Sequence, residues 1–175
     1  MSPGSCPQRP LDELVATLYS TLRKIAGRAL KGSEARRSIS PTDLVHDCYL
    51  RLTRAKALES LPRTEFVALA SRALRNVLVD RARAMRSLKR GGRRQRVTLQ
   101  SDRLPLAMEV DLLDLDVALQ KLALLDERQS RVVELRFFGG LTQEEIAHVL
   151  ACSTRTVNSD WAMAKAWLHR ELSRD

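Results

Sequence analysis

The 175 residues carry 30 Lys and Arg against 21 Asp and Glu, a formal net charge of +9, with 44% apolar and only 4% aromatic side chains. That length suits one ordinary domain or two small ones, and the core must be built from Leu, Val and Ala, which favours an all-α fold. No stretch approaches 18 apolar residues, so no transmembrane helix is expected. The opening MSPGSCPQRPLDE has no apolar run and predicts no signal peptide. Three scattered cysteines, Cys6, Cys48 and Cys152, fit a reducing cytoplasm and no disulfide framework. The charge is uneven. Residues 1–90 hold 18 basic against 8 acidic side chains, 91–116 hold 4 against 5, and 117–175 hold 8 against 8. A basic N-terminal half points to a polyanion, nucleic acid ahead of a membrane surface.

Residues 1–9 are rich in Pro, Gly and Ser and read as disordered. Apolar residues then recur at helical spacing from Leu11 to Leu30, one face of a long helix. Gly32–Ile39 reads as a loop. Ser40, Pro41 and Asp43 open the next helix, which runs to about Arg54 with Leu44, Val45, Cys48 and Leu52 inward. Asp47 and Arg51 are spaced for an i,i+4 pair on another side. A second loop, Ala57–Arg63, is broken by Pro62, and Thr64 is placed to cap a long helix to about Lys89. Across from that helix's apolar face lies a stripe of Arg72, Arg75, Arg83, Arg86 and Arg90, interrupted by Val79.

Gly91–Gly92 stop the helix, and 91–110 lack helical period and read as a linker. A second helical unit follows. One helix spans roughly Asp111–Leu124, and Asp126 with Gln129 starts another that Gly139–Gly140 end. Thr142 and Glu145 form a capping box before a short helix. The turn Ala151-Cys152-Ser153 leads into a final helix to about Leu172.

The strongest signal is 142–170, a helix-turn-helix. Ala147 is small where the two helices approach. Val157, Trp161, Ala164 and Leu168 form the buried side of the second helix, leaving Thr154, Arg155, Asn158 and Ser159 outward. The arginine stripe runs into a tail with eight basic and no acidic residues between Arg81 and Arg96, and reads as a second nucleic-acid surface. Asn76 and Asp80 beside it are either base readers or ordinary surface polar residues. Asp43 and Asp47 in so basic a half suggest a protein partner with basic helices. Enzyme chemistry is not indicated. His46 and Cys48 point apart on a helix, no cluster has metal-ligand spacing, and no glycine-rich phosphate loop follows a strand. No cofactor, metal or small-molecule substrate is expected.

The segments SPTDLVHDCYLRL, FVALASRALRNVLVDRARAMRSLKRGG and LDERQSRVVELRFFGGLTQEEIAHVLACSTRTVNSDWAMAKAWLHREL resemble the extracytoplasmic-function (ECF) sigma factors. The subgroup whose region two ends in an AR…KRGG run is the nearest in pattern. The resemblance covers about Leu11 to Leu172, with three segments in the right order. It implies a cytoplasmic specificity factor of two small helical domains joined by a flexible linker. These are a disordered N-terminus (1–9), region two (10–90), the linker (91–110) and region four (111–175). Core polymerase would be met by Asp43, Asp47 and Arg51 on the β′ clamp coiled coil, with region four on the β flap. The −10 element would be met by Arg72, Arg75, Asn76, Asp80, Arg83 and Arg86, and the loop 57–63 would capture a flipped base. The −35 element would be met by Thr142, Ser153, Thr154, Arg155, Thr156, Asn158 and Ser159. Promoter DNA and core enzyme are the implied partners, with room for an anti-sigma factor and none for a membrane.

The chain departs from the family pattern in three places. Ala151 stands where the turn usually has Gly, so the turn must avoid positive φ or accept strain. Asn158 and Ser159 stand where basic residues are common. Aromatics in the N-terminal half are confined to Tyr19, Tyr49 and Phe66, which limits stacking on opened bases. The competing expectation is a dimeric helix-turn-helix regulator that acts on a palindromic operator without core polymerase.

Overall fold

A computed structural model describes residues 19, 23, 40–53, 62–88, 96–101 and 104–173. Of the long helix expected from Leu11 to Leu30, only Tyr19 and Arg23 fall among them, both helical and exposed. The loop 57–63 lies outside them up to Leu61, as do Lys89 and Arg90.

Helix α1 spans Pro41–Thr53. Ser40 opens it as expected. Its hydroxyl accepts from the Thr42 N–H at 3.2 Å, and its carbonyl accepts from the Leu44 N–H. Helix α2 spans Arg63–Leu88. It begins one residue before the expected cap, because the Pro62 carbonyl accepts the Phe66 N–H at 2.9 Å. Proline lacks a donor but keeps its acceptor, so it can stand just outside a helix start. Leu44, Val45, Cys48 and Leu52 of α1 are buried, as are Phe66, Ala70, Leu74, Val77 and Leu78 of α2.

The linker holds a finding that its lack of helical period did not reveal. Strands β1 (Arg96–Ser101) and β2 (Leu104–Asp111) form an antiparallel hairpin, with Arg96 paired to Asp111 and an irregularity between Leu99 and Ser101. The fold is otherwise all-helical, with six helices among the described residues.

Helices α3 (Leu112–Leu125), α4 (Glu127–Phe137), α5 (Gln143–Val149) and α6 (Thr154–Leu172) make the C-terminal unit. Each carries its own start signal. Asp111 accepts from the Leu113 N–H, Asp126 from the Gln129 N–H, and Thr142 with Glu145 completes a reciprocal capping box. Gly140 ends the α4 turn at φ 63°. Gly139 is required by crowding instead. A Cβ there would stand 2.4 Å from both the Leu135 carbonyl oxygen and Ser71 Oγ.

Ser71 belongs to α2, so that contact joins the two units. It is fully buried and donates to the Val67 carbonyl at 2.6 Å. Helix α2 packs on α3, α4 and α5, and one apolar cluster runs from Leu44 through Phe138 to Leu168.

Candidate nucleic-acid interface

Two surfaces were expected to meet DNA. The first is the helix-turn-helix. Ile146 and Ala147 of α5 are buried against Val157, Trp161, Ala164 and Leu168 of α6. The turn is closed by backbone bonds from the Ala151 N–H to the His148 carbonyl and from the Cys152 N–H to the Ala147 carbonyl. Ala151 accepts the strain instead of avoiding it, at φ 49°. Ser153 caps α6 through the Thr156 N–H at 3.0 Å, and its hydroxyl also meets the Thr156 hydroxyl at 2.8 Å. Thr142 is likewise engaged, as half of the capping box. Thr154, Arg155, Asn158 and Ser159 are exposed. The first turn of α6 contains no acidic residue, so no carboxylate of its own opposes the positive end of the helix dipole.

The pattern gave no sign of how α6 is pinned from behind. Asp160 is buried and accepts from Arg128 of α4 at 2.6 and 3.3 Å, which raises the Arg128 pKa through that hydrogen bond and the charge behind it. Arg136 lies 4.6 Å from the Trp161 ring centroid, with Lys165 at 5.7 Å. Desolvation, then the neighbouring Arg136 charge, lowers the Lys165 pKa.

The second surface is the α2 stripe. Arg72, Asn76, Asp80, Arg83 and Arg86 are exposed, and Val79 is buried where it breaks the stripe. Arg75 is different, with only 12% of its side chain exposed. Its Nε donates to Asp116 Oδ1 at 3.0 Å, its Nη1 to Glu134 Oε2 at 3.0 Å, and its Nη2 to the Asp116 carbonyl at 3.3 Å. Arg83 and Gln120 donate to the other Asp116 oxygen at 3.3 and 2.8 Å. The stripe therefore faces the C-terminal unit across a cleft of about 380 Å³.

On α1, Asp43 is exposed and Asp47 half-buried. The local Asp47–Arg51 pair expected from spacing is replaced by two ion pairs to α2. Arg81 donates to Asp47 at 2.6 and 3.0 Å, and Arg51 donates to Asp80. Neighbouring α2 brings better-placed partners than a surface i,i+4 pair, which is worth only a few tenths of a kcal/mol. Phe66 is 2% exposed and so cannot stack on a base. Cys48 is buried between the helices, and burial, then the Asp47 charge, pushes its thiol up to about 12. Among the described residues no three His, Cys, Asp or Glu side chains are placed to hold a metal ion, and no helix is long and apolar enough to cross a membrane.

A capped helix-turn-helix beside a basic helical pair defines a DNA-binding transcription protein. The family model described as ECF sigma factor matches residues 8–174, and the chain belongs to that family. It directs transcription initiation with RNA polymerase and is not an enzyme. Membership sets aside the dimeric regulator that acts without polymerase. Among solved structures the chain is similar to the sigma factor RpoE of Bartonella quintana, co-crystallised with the anti-sigma factor NepR. The identity is 18% and the TM-score 0.42, over 94% of this chain and 98% of that one. Among curated proteins no match is found.

Proposed function

We propose that residues 10–90 form region two and 111–175 region four of a cytoplasmic sigma factor, in the subgroup marked by the AR…KRGG ending. Region four reads the −35 element with Thr154, Arg155, Asn158 and Ser159. Ser153, Thr156 and Thr142 contribute chiefly by holding the helix starts. The observation that carries this is the outward first turn of α6, which is capped, free of acidic side chains and set on a buried seam. Such a helix presents base-reading side chains at a positive dipole end that favours phosphate.

Region two reads the −10 element with the α2 stripe, Arg72, Arg75, Asn76, Asp80, Arg83 and Arg86. Helix α1 docks on the β′ clamp through Asp43, Asp47 and Arg51, and region four rests on the β flap. Co-purification from the native host tests whether an anti-sigma factor binds this chain.

Run-off transcription with core polymerase on a genomic library tests the whole reading. Promoter-dependent transcripts should appear only with the chain present, and Arg155→Ala should change the preferred −35 sequence. With Phe66 buried, stacking on opened bases, worth about 1–3 kcal/mol per base, has little to draw on. Initiation should therefore need both elements, and a mismatched, pre-opened −10 bubble should rescue weak promoters. Transcription from a scrambled −35 element at full efficiency would defeat the assignment.

A further inference from the structure

Arg128 stands second in α4, where the positive end of the helix dipole disfavours a cation. A partner 32 positions on explains its place. Its Nε donates to Asp160 Oδ2 at 2.6 Å and its Nη2 to Asp160 Oδ1 at 3.3 Å. Asp160 is withdrawn, with 6% of its side chain exposed, while Arg128 is half-exposed. A buried carboxylate needs such compensation to keep its charge. Trp161, the next residue of α6, meets a second cation from α4, with Arg136 4.6 Å from its ring centroid.

The ionic fork supplies what the apolar seam cannot. Val157, Trp161, Ala164 and Leu168 hold α6 against its neighbours. Apolar contact is non-directional, so it sets rotation about the helix axis only loosely. A planar guanidinium on a carboxylate is directional. At 3.6 residues per turn, Asp160 lies nearly opposite Asn158, so the fork grips α6 behind its exposed readers. A helix with its side chains is about 10–12 Å across, so a rotation of roughly 20° carries those readers by about 2 Å. Hydrogen bonds to base edges do not survive such a shift, whereas the longer-ranged attraction to phosphates does.

We infer that Arg128 and Asp160 are positioning residues for −35 discrimination: the fork fixes the rotation of α6, and so the aim of Thr154, Arg155, Asn158 and Ser159, without touching DNA itself. This role rests on the proposed reading of the −35 element by α6.

The test uses holoenzyme carrying the full-length chain. The probes are a labelled duplex promoter from the run-off screen and the same duplex with its −35 element scrambled. Anisotropy gives the affinity for each across a salt series, and their ratio measures discrimination. The variants are Arg128→Gln, Arg128→Lys and the double variant Arg128→Gln/Asp160→Asn, which leaves no buried charge unpaired. Arg128→Gln and the double variant should lower the ratio at least about tenfold, as misaiming one bidentate base contact would. Affinity for the scrambled duplex should stay within about twofold, at an unchanged salt slope, because no phosphate contact is lost. Arg128→Lys keeps the charge but not the fork, and should still lower the ratio at least about threefold. A merely structural role would weaken both duplexes equally, and an unmoved ratio of that kind would overturn the assignment. A salt slope reduced by about one unit would make Arg128 a direct phosphate contact and overturn it as well. Arg155→Ala, run beside them, separates the two readings. If it shifts the preferred sequence while Arg128→Gln keeps the full ratio, the positioning role alone falls. If it shifts nothing, the −35 reading falls and the positioning role with it.

Discussion

Replacing Ala151 by glycine should stabilise the protein, although it removes a methyl group from a structured turn. Ala151 sits at φ 49° between α5 and α6. The left-handed region brings an L-residue's Cβ against its own carbonyl, at roughly 1–2 kcal/mol. Glycine avoids that repulsion but loses more chain freedom on folding, roughly 0.4–1 kcal/mol relative to alanine. The methyl is exposed, so no packing is forfeited. The turn's bonds to His148 and Ala147 use backbone atoms that glycine retains. Subtracting the entropy from the strain leaves Ala151→Gly more stable by about 0.8 kcal/mol at the midpoints of the two ranges. For a chain of this size that raises Tm by about 1–4 °C. Urea unfolding followed by far-UV circular dichroism should show a higher midpoint at unchanged slope. Affinity for −35 DNA should stay within about twofold, because the exposed recognition side chains begin three residues later. A midpoint equal to or below that of the wild type would show that the turn is not strained as argued.

Three further outcomes are expected. Asp43→Lys/Asp47→Lys should abolish the complex with core polymerase in co-sedimentation at unchanged helix content, since the lost Asp47–Arg81 bridge is partly exposed and contributes at most about 1 kcal/mol to folding; undiminished core binding would remove α1 from the interface. Alanine at Arg72, Arg83 and Arg86 should each flatten the salt dependence of holoenzyme–promoter binding by about one unit of slope, whereas Arg155→Ala should shift sequence preference instead; equal salt effects from the two groups would contradict the division. The Cys48 thiol keeps its proton up to about 12 when folded, against 9.0 as its ordinary value, so its contribution to stability is complete below pH 9 and declines as pH rises towards 12; unfolding midpoints should fall more steeply over that window in the wild type than in Cys48→Ala, and parallel curves would refute it.

Features set by near neighbours in the chain were readable without coordinates. The caps at Ser40, Asp126 and Thr142, the stop at Gly139–Gly140 and the buried seam of Val157, Trp161, Ala164 and Leu168 follow from local hydrogen bonding and helical period. The conflict at Ala151 was legible only through the family resemblance, whose turn usually has Gly there; that the turn takes the strained option, at φ 49°, came from the structure. Side-chain partners were not legible. Arg81 reaches Asp47, Arg51 reaches Asp80, Arg128 reaches the buried Asp160, and Arg75 reaches Asp116 and Glu134 across 41 and 59 positions. A long cationic side chain takes whichever carboxylate the packed helices bring within about 3 Å, and sequence spacing does not measure that distance. The hairpin in the linker and the contact of Ser71 with Gly139 have the same origin. Period and composition could mark the arginine stripe as a polyanion surface, but only the packing of α2 on α3 and α4 decided that it faces the protein's own carboxylates.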